Sequence, residues 1–255
     1  MSDNADRPGY EPELTQPPTP SPASRYSAVQ RLWMMFTSPG QVFADIGVKP
    51  TWILLMIVLV LLGVGVQVAV APHIDYEATI RARMADRADE ITDEQMEKML
   101  APAEKIAKFA PIAGLVVAPL VWALMAAVFL VMLKIVGSEI DFKTTLSTVL
   151  HGYWPATAVA LILTGVLVQR VGKVPEQELG NIVKANLGAF LSPETPAWLS
   201  SAAGTISIFN IWVVVLLIMG FTTVGKISRG KAAVAALVPW IAMIVVKSAF
   251  ALIMG

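Results

Sequence analysis

Two histidines, a glycine-flanked basic loop and one close pair of carboxylates are the residues from which this 255-residue chain could build chemistry. Neutral imidazoles ligate metals, but His73 and His151 provide only two ligands where a metal site needs three or four. There is no cysteine, which excludes disulfides, thiolate metal sites and thiol nucleophiles. The stretch "GKISRGKA", Gly225 to Ala232, fits the phosphate-cradling GxxxxGK pattern. It carries Ala232 where a Mg²⁺-binding hydroxyl belongs and follows an apolar segment rather than a strand, so it reads as coincidence. Glu139 and Asp141 read as a solvated turn and a helix cap rather than an acid–base pair. No HExxH or GxSxG pattern occurs, and no nucleophile lies beside a base. The expectation is a non-enzyme with no catalytic residue, cofactor or metal.

Three strongly polar residues stand inside otherwise apolar stretches: Gln67, Asn210 and Lys247. Gln67 and Asn210 suit interhelical hydrogen bonds, each worth about a kcal/mol or less in a bilayer. Lys247 lies close enough to Gly255 for its ammonium to snorkel to a membrane surface. It could instead face a bundle and bind an anionic lipid or substrate group. With Thr164, these are the residues a polar path through the chain would need.

The elements that would position them are membrane helices. Apolar residues make up 56% of the chain and charged residues 15%, and the mean hydropathy is +0.66. A helix of about twenty residues covers the roughly 30 Å hydrocarbon core. Five spans are predicted, over about 52–71, 109–133, 146–168, 206–224 and 232–254, in an all-α polytopic fold. Prolines inside them are tolerated because neighbouring helices satisfy the freed backbone groups. The pairs Gly63 with Gly65 and Gly220 with Gly225 would allow close helix approach. On this topology His73 and His151 face opposite surfaces, which excludes a shared metal.

Residues 1–26 hold six prolines between Pro8 and Pro22 and read as a disordered tail, alternatively as a ligand for proline-binding domains. The rest, 27–255, reads as one membrane domain. Leu32, Trp33, Met35 and Phe36, then Val42, Phe43 and Ile46, recur at helical spacing in pieces too short to span. They are expected to lie in the headgroup region as an in-plane approach to the first span, Trp33 at the interface. Ser38 followed by Pro39 reads as a hydroxyl cap and a first-turn proline.

Between the first two spans, about 72–108, nine acids and six bases make a charged excursion. Thr92 and Gln95 form a capping-box pattern, and Glu94–Lys98 and Glu104–Lys108 are i,i+4 pairs. A helical hairpin, or a bent helix running into the second span, is predicted. Thr195–Pro196 in the later outer loop again looks like a cap and a first-turn proline. Net charge is zero, so nothing points to nucleic acid. The turn "GKISRGK" packs three bases and no acid, which favours an internal N-terminus and an external C-terminus. The same bases could bind anionic headgroups.

Three passages together resemble a known family: "FTSPGQVFADIGVKPTW", "DFKTTLSTVLHGYWPATAVALI" and "FNIWVVVLLIMGFTTVGKISRGKAAVAALVPW". Their order and spacing resemble the bacterial branch of the Yip family of five-span proteins, named for interaction with Ypt/Rab-type GTPases. The match rests on Ser38, Pro39, Phe43, Tyr153, Pro155, Gly220, Gly225, Ser228, Arg229, Gly230 and Lys231. The resemblance implies a multi-pass protein of the bacterial inner membrane with a cytoplasmic N-terminus and no enzymatic activity. It also implies membrane lipids and other membrane proteins as partners, since some bacterial relatives look like accessory partners of ABC-type exporters. A scaffold or accessory protein is therefore the expected function, and a small transporter or channel the alternative.

Overall fold

The computed structural model describes residues 24–84, 91–192 and 194–254. Nearly all of the proline-rich tail lies outside them. The described residues are helical, without a named strand, in the order α1 (Ala28–Thr37), α2 (Pro39–Val48), α3 (Ile53–Val70), α4 (Tyr76–Arg83), α5 (Asp93–Ile135), α6 (Phe142–Val168), α7 (Ala197–Thr205), α8 (Ile208–Val224) and α9 (Arg229–Met254).

Four of these, α3 (with the short turn that follows it), α5, α6 and α9, are long and apolar enough to cross a membrane. The expected fourth span, α8, has 17 residues, about 26 Å at the helical rise. The short helix α7 precedes it and packs beside α9. The chain breaks between α7 and α8, and the break is sealed by backbone bonds. Leu187 donates to the Ile206 carbonyl at 3.0 Å, and Ile208 donates to Ala185 at 3.0 Å.

The charged excursion folds as expected in one respect and more simply in another. Thr92 and Gln95 do form the capping box, and the helix they start runs unbroken for 43 residues, through Pro102, Pro111 and Pro119. It is the outer helix and the second span in one, with α4 packed against it. Glu94–Lys98 closes at 2.6 Å; Glu104–Lys108 forms no ion pair among the described residues.

The two short connections, after α5 and after α8, meet at one end of the bundle, called here the inner end. The Ser138 hydroxyl donates to the Gly225 carbonyl there at 2.9 Å. The long connections gather at the opposite, outer end, where Asp75 donates its amide to Val174 and Val174 to His73. Most of the fully buried apolar side chains lie toward the inner end. Val42, Phe43, Ile46, Leu133, Val149, Leu150 and Phe221 form one cluster with little or no exposure. Along the apolar parts of α5 and α9 many large apolar side chains are exposed, as on a lipid-facing surface.

Three sequence expectations are corrected. The segments expected to lie in the headgroup region, α1 and α2, pack much of their apolar surface on α6 and α8 while Val29 and Trp33 stay exposed. Nothing lies within 4 Å of a Cβ built on Gly63 or Gly65, so those glycines do not bring helices together. Pro196 is the N-cap residue of α7 rather than its first helical residue, and the Thr195 hydroxyl makes no cap bond.

Candidate functional site

Most of the residues that carry the resemblance lie toward the inner end, where the α1–α2 pair is clasped to the bundle. Ser27 starts α1 with a capping box: its hydroxyl accepts from the Gln30 amide at 3.2 Å, and its own amide donates to Gln30 Oε1 at 2.9 Å. Ser38 then ends α1 and starts α2, but through its backbone. Its amide donates to the Met34 carbonyl at 2.7 Å, and its hydroxyl caps nothing, contrary to expectation. Pro39 opens α2, where its missing amide hydrogen costs no helical bond. The tight corner folds α2 back against α1.

At the centre of the clasp lies a feature the sequence reading missed. Arg31 and Asp45, on the facing sides of α1 and α2, are 1% and 4% exposed. The guanidinium reaches Asp45 Oδ2 through Nε at 3.0 Å and Nη2 at 2.8 Å. Its Nη1 donates to the Lys49 carbonyl at 2.9 Å and to the Thr51 hydroxyl at 2.7 Å, and Nη2 also reaches the Ser24 hydroxyl at 2.9 Å. The carboxylate takes further bonds from the Arg25 amide (2.7 Å) and the Ser24 hydroxyl (3.1 Å). Burial by itself would raise the Asp45 carboxyl. The Arg25 amide, the Ser24 and Arg31 bonds and the Arg31 charge outweigh it and hold the group below its ordinary value. Residues 24–26, expected to belong to the tail, are thereby tied to α2. Such a pair stands only when its bonds are this complete, because removing either partner strands a buried charge.

A second layer ties the clasp to α6. Trp154 donates its indole N–H to the Leu32 carbonyl at 2.9 Å. Phe36 meets Trp154 and Trp212 edge-on, with centroids 6.3 and 6.2 Å away. The Ser147 hydroxyl donates to the Thr51 carbonyl, and the buried His151 Nδ1 lies 2.7 Å from the Ser147 carbonyl. A carbonyl only accepts, so Nδ1 carries the proton. His151 is thus held inside α6. His73 stands at the outer end, 3.3 Å from Gln169.

Phe43 explains Gly220. A Cβ on Gly220 would stand 2.8 Å from Phe43 Cε1 and 2.8 Å from Thr148 Cγ2, so α2, α6 and α8 touch only because this residue has no side chain. Gly152, which the sequence reading passed over, does the same against Leu217 at 2.8 Å. At Gly225 a Cβ would be 3.0 Å from Ser138 Oγ. Pro155 is buried within α6, and half-buried Tyr153 meets Trp122 edge-on at 5.3 Å. Arg229 and Lys231 stay exposed at the start of α9.

Glu139, Asp141, Gly225 and Lys226 line a hollow of ≈ 430 Å³ between the two inner loops. Asp141 caps α6 as expected. The Thr144 amide bond, opposed by burial and aided by the Thr144 hydroxyl, lowers its carboxyl below the usual value.

The three intramembrane polar residues do not converge. Asn210 Nδ2 donates to the Thr205 carbonyl at 2.7 Å, sealing the end of α7. Lys247 is exposed on α9. Gln67 and Thr164 both line an outer cavity of ≈ 650 Å³. Tyr76, at the same cavity, has its phenol pushed up by burial and by the nearby Glu176 and Glu104 charges.

One sequence signal could have exposed the clasp. Arg31 lies one turn before Met35, and Asp45 lies between Val42 and Ile46, so opposite charges interrupt two otherwise apolar stripes. The sequence model of the Yip1 domain matches residues 33–250. No curated protein and no solved structure matches the chain.

Proposed function

This chain belongs to the Yip1 domain family, and on that premise we propose that it is a non-enzymatic membrane scaffold or accessory subunit that holds other membrane proteins in the bilayer. In this reading the chain crosses five times, α7 and α8 sharing one crossing, and the basic turn after α8 and the resemblance favour the clasp and both short loops on the cytoplasmic face of a bacterial inner membrane. The partner class suggested by the resemblance is an ABC-type exporter.

One observation carries this reading: the polar side chains that a transport path needs are spent or scattered. Asn210 is used on a backbone carbonyl, and Lys247 lies on the outside of α9. The clasp meanwhile holds α1 rigidly and leaves Val29 and Trp33 exposed at 67% and 71%. An apolar face held at a membrane surface suits a protein partner or the headgroup layer.

The test is photo-crosslinking in native membranes with a photoreactive residue in place of Trp33. Reproducible capture of the same membrane protein supports the scaffold. No reproducible partner, together with solute flux into liposomes containing this protein alone, overturns it. The transporter alternative is favoured by a single fact, that Gln67 and Thr164 share a cavity. It requires flux that Gln67→Leu abolishes.

A further inference from the structure

The outer cavity has a use of its own. Its volume of ≈ 650 Å³ falls within the roughly 300–1,000 Å³ of ordinary ligand pockets. Gly63, Ile106 and Leu161 give it an apolar body, with Gln67 and Thr164 on its wall. Arg83 and Glu176 also line it and stand more than half exposed, so they mark its mouth. Their ion pair, 2.6 Å long, holds α4 to the 170s loop. The Glu176 amide reinforces it by donating to the Thr79 hydroxyl at 2.9 Å.

Depth fixes the surroundings. Gln67 lies about 21 Å along α3 from Ile53, and Leu161 about 28 Å along α6 from Phe142. Measured from the inner end, the cavity therefore straddles the level where a hydrocarbon core of about 30 Å gives way to headgroups and water. A groove of ≈ 550 Å³ between α3 and α5, lined by Phe109 and Val117, shares Gln67, Ile106 and Ala110 with it as a common wall. Ile106, Phe109 and Val117 on that groove are more than half exposed, as side chains facing lipid would be.

We propose that this cavity holds one acyl chain of a zwitterionic phospholipid, with the lipid phosphate beside Arg83 and its ammonium beside Glu176. A chain drawn up from the bilayer exchanges one apolar medium for another, so the chain itself gains little. The gain comes from the lining, whose apolar atoms would otherwise face water at this level. An anionic headgroup would satisfy Arg83 and oppose Glu176; a zwitterion satisfies both ends of the pair. The site is independent of the clasp and of any partner bound there.

The test uses the full chain in vesicles of phosphatidylglycerol. These carry a trace of phosphatidylethanolamine or phosphatidylglycerol with the same photoreactive acyl chain. The phosphatidylethanolamine probe labels 63–70 and 103–110 about fivefold more than the phosphatidylglycerol probe, a ratio equivalent to ~1 kcal/mol. Glu176→Gln removes that preference. Gly63→Leu places a side chain in open space within the cavity and lowers the labelling. Gly65→Leu, on the same helix, with equally open space but off the cavity wall, does not. Equal labelling by both probes overturns the proposal. So does labelling untouched by Gly63→Leu, or labelling spread evenly over the exposed faces of α5 and α9.

Discussion

At the inner end, one ion pair is almost wholly buried and joins two helices; toward the outer end, three ion pairs among the described residues lie on the surface, and one of them lines a cavity. Arg31–Asp45 has side chains 1% and 3% exposed, whereas Lys98–Glu94 has 72% and 76%. The charges are alike and the distances are similar, at 2.8 and 2.6 Å. What differs is solvent. Water screens the outer pairs to about 0–1 kcal/mol, and its absence makes the inner pair intolerant of losing a partner. The same contrast holds for packing. Gly220 admits no extra atom, while Gly63 and Gly65 face open space. The clasp and its seat on α6 and α8 are built to stay in one arrangement; the outer cavity leaves room.

The comparison breaks first at Asp45. Asp45→Ala strands the Arg31 guanidinium and should cost about 3–5 kcal/mol, read as an earlier unfolding midpoint when the purified protein is titrated with SDS. Replacing both partners, Arg31→Met with Asp45→Leu, should recover most of that loss. If the single variant unfolds like the parent, the pair does not hold the clasp.

The Asp45 carboxyl also gives the pH dependence a sign. Its folded value is depressed, so its contribution is fully present above the unfolded value of about 3.9. It is lost as pH falls through the folded value. Asp45→Ala should therefore flatten the acid limb of a stability–pH curve, and an unchanged limb would remove this assignment.

Gly220→Val comes next. Its added atoms meet Phe43 and Thr148 on two sides, and overpacking of this kind costs about 1–3 kcal/mol. The same SDS titration measures it, and Gly65→Val serves as the unstrained control. Asn210→Ala should cost less, about 0.6 kcal/mol, the average for hydrogen bonds between membrane helices. Hydrogen exchange at the end of α7 should show it locally even where the midpoint barely moves. Lys98→Ala should be smallest, a few tenths of a kcal/mol at most. A large effect there would mean that the exposed tip of α5 is packed against something in the membrane.

Hydropathy alone made α3, α6 and α9 legible to within a few residues, because twenty apolar residues have few other uses. The capping box at Thr92 was legible for the same local reason: a hydroxyl, three residues and an amide suffice. The clasp was not. Arg31 and Asp45 are fourteen residues apart on separate helices, and nothing local states that the two faces meet. The roles of the glycines were half legible. The residue type announces possible closeness, but only the arrangement of α2, α6 and α8 decides that Gly220 is used and Gly63 is not. Ser38 misled because its hydroxyl suits a cap, while the tight corner let the backbone do the work.

The unbroken run of α5 has a mechanical consequence. At 43 residues it is about 64 Å long, roughly twice the hydrocarbon thickness, with no loop at the outer surface to absorb strain. It is a lever whose fulcrum is the bilayer. A tilt change of about 10° about the bilayer midplane, roughly 49 Å from the tip, swings the acidic end at Asp93 and Glu94 by about 8 Å. Small changes in lipid thickness are thereby magnified into displacements wide enough for a neighbouring molecule to register.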